Sequence, residues 1–123
     1  MNIYNEVIPT LTALLTQVSS ELPPTVNRII LFGSYARGQQ TIYSDIDLAI
    51  VHAGNYQPTH RKEEAPFIAE ITYHFDQVPL NFFSTNEEKL NLTDYPMNAN
   101  TNIQKEGIVL WTRTVTNLSQ NVI

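Results

Sequence analysis

The chain has 123 residues, 42 % of them hydrophobic and only 15 % charged, which suffices for one domain with a single core and no staples. A net charge of −5 argues against nonspecific attraction to nucleic acid or to an anionic membrane surface. The absence of cysteine excludes a disulfide frame, a thiolate nucleophile and cysteine-bound zinc, and fits a reducing cytoplasm.

In chain order, Ile3, Val7, Leu11, Leu14, Leu15 and Val18 recur at helical spacing and predict an amphipathic helix to about Ser20, with Pro9 in or near its first turn or else kinking it. This run has no basic segment ahead of it to make a signal peptide, and no stretch is long enough to span a bilayer. Glu21-Leu22-Pro23-Pro24 ends the helix, and Val26–Phe32 reads as a strand with a solvated Arg28 near its start. Gly33 turns out of that strand, Ser34 is placed to cap a short helix running into Gly38, and a second strand follows from about Asp45 to His52. Beyond a loop at 53–59, Thr59 caps a long helix to about Phe75. Its core stripe is read as Ala65, Ile68, Ile71, Thr72 and Phe75, and its outer face as Arg61, Lys62, Glu63, Glu64 and Glu70. Pro66 suggests that the regular helix begins near Ala65.

Asp76-Gln77 turns into a third strand, Val78–Phe83, whose proline suits an edge position or the first residues of a strand. Ser84 or Thr85 with Glu87 or Glu88 reads as a capping box for a short helix, and Asn91–Asn102 as an irregular loop. Asn102–Glu106 reads as a helical turn closed by Gly107, and Ile108–Trp111 as a strand or apolar clasp. The tail beyond Thr112 reads as frayed. The order helix, strand, short helix, strand, helix, strand makes this an α/β (α+β) domain occupying residues 1–123.

Two features carry chemistry. Asp45 and Asp47 alternate with Ile46 and Leu48, so on a strand both carboxylates face one way, with roughly 6–7 Å between their α-carbons. Such a pair can converge on one divalent cation, or bridge two cations about 3.5–4 Å apart. Ten residues separate Gly33-Ser34 from Asp45, and a glycine-led turn opening a helix offers N–H groups and a hydroxyl to a phosphate. Acids beside a phosphate cradle form the minimum apparatus of phosphoryl or nucleotidyl transfer. Arg37 lies close enough to neutralise a triphosphate, and Tyr35 and Tyr43 flank the loop, where each could shield a base or simply pack. His52, His60 and His74 have no metal-ligand spacing and no matched acid, so they read as surface or packing residues. P-loop, Gly-x-Ser-x-Gly and His-Glu-x-x-His motifs do not occur.

The stretch Gly33 to Val51, with the closing segment Ile103-Gln104-Lys105-Glu106-Gly107-Ile108-Val109-Leu110-Trp111, resembles the minimal nucleotidyltransferase family of the DNA polymerase β-like superfamily. Its relatives include aminoglycoside nucleotidyltransferases and the antitoxins of HEPN/MNT toxin–antitoxin pairs. The resemblance implies a small mixed sheet, helices mainly on one face, and catalytic acids at the open edge. It also implies Mg2+ held by Asp45 and Asp47, terminal phosphates of ATP held by Gly33 and Ser34, and a third carboxylate on the strand after the second long helix. The matching position here is Asn81, which can ligate through its carbonyl but carries no charge and accepts no proton. Asp76, five residues before it, is a lesser substitute.

Three functions are compatible with these residues. The first is transfer of AMP from ATP to a hydroxyl, which the antitoxin resemblance places on a small helical HEPN-type partner. The second is a degenerate, catalytically weak fold that neutralises a toxin by surface contact, motivated by Asn81. The third is a small-molecule nucleotidyltransferase of the aminoglycoside kind, for which the short chain would have to build its acceptor pocket by homo-oligomerisation.

Overall fold

The computed structural model describes residues 4–54, 60–92 and 98–113. The expected frayed tail lies outside them, as does most of the loop ahead of the second long helix. A four-stranded sheet in the order β3-β2-β1-β4 organises the molecule. Strand β1 (Val26–Phe32) pairs antiparallel with β2 (Ile46–His52) on one side and with β4 (Ile108–Thr112) on the other. Strand β3 (Leu80–Asn86) runs parallel to β2 at the edge, so the expected mixed sheet is present. Pro79 immediately precedes this edge strand, where its missing N–H costs no ladder bond.

Strand alternation splits the apolar residues between two faces. Ile29 and Leu31 of β1, with Ile46, Leu48 and Ile50 of β2, join the main core. Helix α1 (Tyr4–Val18) adds Val7, Leu11, Leu15 and Val18, and helix α3 (His60–His74) adds Phe67 and Ile71. Burying each such leucine or isoleucine stabilises by about 1.5–3 kcal/mol. The opposite face carries a smaller cluster of Ile30, Ala49 and Val51 under Leu90 of α4 (Glu87–Leu90) and Ile103 of α5 (Ala99–Glu106). The two long helices therefore share one face, and two short ones cover part of the other.

Several local expectations are corrected. The regular part of α1 ends at Val18 and a 3-10 turn, Ser19–Glu21, follows; Pro9 is its sixth residue. Helix α3 runs unbroken through Pro66, which is exposed. Its buried side is Glu64, Phe67 and Ile71, continued by Phe75, whereas Ala65 and Thr72 are exposed. Ile71 and Phe75 keep their expected places and Ile68 packs on the core, but a carboxylate sits in the first turn where hydropathy seeks an apolar residue, so Glu64 and Phe67 take the buried positions there. Ser84 and Thr85 stay in β3, and the cap of α4 is Asn86, whose side chain accepts from Lys89 N at 2.8 Å. Helix α5 begins at Ala99 rather than Asn102, capped by Asn98, which accepts from Thr101 N at 3.0 Å. Arg28 is not simply solvated: it grips Glu87 through Nη2 (2.6 Å) and Nε (2.9 Å).

Glu64 is fully buried because partners surround it. It meets His52 Nε2 at 2.6 Å, accepts Ser84 Oγ at 2.6 Å, and accepts Arg61 Nη1 at 3.2 Å. Thr25 Oγ1 holds the other ring nitrogen of His52 at 2.8 Å. His52 thus has the matched acid that the sequence reading denied it. It closes β2 at the end away from Asp45 and Asp47, five residues or roughly 16 Å from the latter.

Candidate active site

The turn after β1 depends on Gly33. Its φ of 78° and ψ of −158° lie where L-residues are strained, and it is the N-cap of the four-residue helix α2 (Ser34–Arg37). Its carbonyl accepts the N–H groups of Ala36 (3.0 Å) and Arg37 (3.1 Å). Ser34, expected as the cap, is instead the first helical residue, and among the described residues its hydroxyl has no hydrogen-bond partner. A second left-handed glycine, Gly38, closes the turn.

Register carries this elbow onto the acids. Phe32, the last residue of β1, pairs with Asp47, so Gly33 lies directly beneath the Asp47 carboxylate. A Cβ on Gly33 would overlap Asp47 Oδ2. From the other side, the parallel register sets Asn81 opposite Asp47. Asn81 Nδ2 donates to Asp45 Oδ2 at 3.1 Å and to Asp47 Oδ1 at 3.4 Å. Gly33, Asp45, Asp47 and Asn81 therefore meet on one sheet face. Asp76 lies on the turn before β3, outside this register.

The acids do not lie at the sheet edge, as the family resemblance suggested. Strand β2 is interior, and they occupy the rim formed by the end of β1 and the starts of β2 and β3. There Asp47 has its pKa raised above the ordinary 3.8. Burial is the main cause and the charge of Asp45 adds to it, against the hydrogen bond from Asn81 and the positive charge of Arg37. Arg37 is held in turn: Nη1 donates to both Glu106 oxygens (3.0 and 3.1 Å) and Nε to Gln39 Oε1 (3.1 Å). Tyr35 is buried in the core, whereas Tyr43 is exposed on the loop before Asp45.

The donor set suits a hard divalent cation in kind. Two carboxylates whose like charges repel, and an amide whose oxygen could replace its nitrogen by a half turn, are oxygen ligands of the sort magnesium takes. Its charge is low: among the described residues no cluster of three or more Asp, Glu, His or Cys could hold a metal.

A family model described as a nucleotidyltransferase domain matches residues 11–105, a span that includes the elbow, both aspartates and Asn81. The chain belongs to the nucleotidyltransferase domain family. No curated protein sequence matches it significantly. Among solved structures, a candidate nucleotidyltransferase of Sulfolobus solfataricus superposes with a TM-score of 0.56 at 18 % identity, covering 89 % of this chain and 84 % of that one. A toxin–antitoxin structure with AMP-PNP gives 0.55 at 22 % identity, covering 90 % and 81 %. A complex of tri-AMPylated Shewanella oneidensis HEPN toxin with MNT antitoxin gives 0.51 at 17 % identity, covering 94 % and 87 %. At these identities the likeness is one of fold, and it includes MNT antitoxins. Within this nucleotidyltransferase domain, sequence reasoning missed Gln39 and Glu106, the partners of Arg37. The available signal is Glu106-Gly107 at the head of the last strand. No described helix is long and apolar enough to cross a membrane.

Proposed function

We propose that this nucleotidyltransferase domain transfers AMP from ATP to a hydroxyl of a partner protein, as an antitoxin acting on a helical HEPN-type toxin in the cytoplasm. The reading rests on one observation: Asn81 ties Asp45 to Asp47 while the Gly33 backbone packs against Asp47, so the phosphate turn and the acids form one surface. The nucleotide-bound and AMPylated toxin–antitoxin relatives support the choice of ATP and of a protein acceptor.

Asp45 and Asp47 would hold Mg2+, with the Asn81 carbonyl as a third, neutral ligand. The cation would neutralise phosphate charge and polarise the α-phosphate. Gly33 lets the backbone come close to the terminal phosphates, Ser34 offers its hydroxyl to them, and Arg37 offers positive charge. The acceptor oxygen bonds to the α-phosphorus as pyrophosphate leaves. Asn81 cannot take the acceptor's proton, which leaves that role to an aspartate or to water. Incubation with labelled ATP, magnesium and the protein encoded beside it should label a partner tyrosine, and Asp45→Ala should abolish the label. Absence of transfer, or equal transfer by Asp45→Ala, overturns the reading.

Asn81 also favours a second reading, in which the domain binds its toxin without modifying it. Asn81→Asp separates the two. Under the catalytic reading the native site already turns over, whereas under the degenerate one transfer emerges only with the restored acid.

A further inference from the structure

We infer that Glu106 is a positioning residue that holds the Arg37 guanidinium in place for an anionic phosphate at the Gly33 elbow. The inference rests on the nucleotide-site reading above and assigns a role to a residue that reading leaves unused.

Glu106 is brought there by backbone packing rather than by its own side chain. It is the last residue of α5, and the following Gly107 donates its N–H to Ile103 O at 2.9 Å. A Cβ on Gly107 would meet both that carbonyl and the side chain of Ile30, so only glycine lets α5 end this close to β1. The next residue, Ile108, then pairs with Leu31, two positions before Gly33. Glu106 is therefore anchored beside the elbow whether or not Arg37 meets it.

The guanidinium is held at two of its three nitrogens. Glu106 takes Nη1 and Gln39 takes Nε, while among the described residues Nη2 has no partner. That division fixes the plane of a side chain that is 44 % exposed and would otherwise sample many rotamers. It also leaves the two N–H groups of Nη2 for an oxyanion, the fork that phosphate recognition uses. The charge of Arg37 already reaches Asp47, whose proton affinity it lowers. A merely structural ion pair at this exposure would contribute little to folding.

The test is a double-mutant cycle on the affinity of the whole chain for a non-hydrolysable ATP analogue with magnesium, measured by calorimetry, with melting temperatures taken without nucleotide. Arg37→Ala should weaken binding about tenfold, and Glu106→Ala about three- to fivefold. The double variant should match Arg37→Ala alone, because Glu106 acts only through Arg37. Glu106→Gln, which keeps an acceptor oxygen in place, should bind within about twofold of wild type, and all variants should melt within about 3 °C of it. If wild type binds and Glu106→Ala binds equally or more tightly, or the two losses add, the positioning role is overturned while the site reading stands. If wild type does not bind the analogue at all, both fall.

Discussion

Gly33 leaves no room for a side chain, and its backbone angles are those that L-residues avoid. Gly33→Ala should therefore strain the turn by about 1–3 kcal/mol and push the Asp47 carboxylate aside, abolishing the ATP–magnesium thermal shift while circular dichroism stays native. A variant that keeps the full shift would show that the contact can be relaxed. Asp47 carries a different cost. Its pKa is raised, so the folded chain keeps a proton that the unfolded chain loses at 3.8, and stability falls as pH rises from there through the raised value. Asp47→Asn should melt higher than wild type at pH 7, with the gap closing below pH 3.8, where both states are protonated. Residues selected for a charged site commonly sacrifice stability in this way.

At the scale of elements, helix α3 shows where a sequence is hard to read. Apolar periodicity located the first two strands, the start of the third and both long helices, and left Ile108–Trp111 open between strand and clasp, because strand alternation and helical spacing follow from burial. The same rule failed for Glu64, since a carboxylate enters a core only when its lone pairs are satisfied, and its partners come from β2, β3 and its own helix. No local window contains all of them, since only Arg61 is near in sequence. The site divides likewise: Gly33, Asp45 and Asp47 were legible because each is dictated by its own strand or turn. The Arg37–Glu106 pair spans 69 positions and was not. Burial acts to raise the pKa of Glu64, but hydrogen bonds from His52, Ser84 and Arg61 outweigh it and hold the group below its ordinary 4.5. Its contribution is thus complete above pH 4.5 and lost as pH falls through the lower folded value. Glu64→Ala should cost about 3–5 kcal/mol in urea unfolding and blunt the acid limb of the stability profile. Pro66→Ala acts oppositely. It restores a missing helix N–H on an exposed surface, and should stabilise by about 1 kcal/mol or more, read as a higher urea midpoint.

For the molecule as a whole, seven basic residues face twelve acidic ones, so ATP without a cation meets a repelling surface. ATP with magnesium at a hundred times its dissociation constant should stabilise by about 2.7 kcal/mol, and chelation should erase the gain. A shift that survives EDTA would argue for binding away from Asp45 and Asp47. Because β2 and β3 run in the same direction, the chain must leave at His52, travel back the whole depth of the sheet, and start again beside Asp47. Helix α3 makes that return: its 15 residues reach about 22 Å, against about 23 Å for the seven residues of β2. It serves as the ruler that decides which amino acid sits next to the acids. Shedding one turn, about 5.4 Å, would seat Asn81 beside Ala49 and leave Asp47 facing the preceding turn, so the neighbour that Asp47 receives is written in the length of a helix.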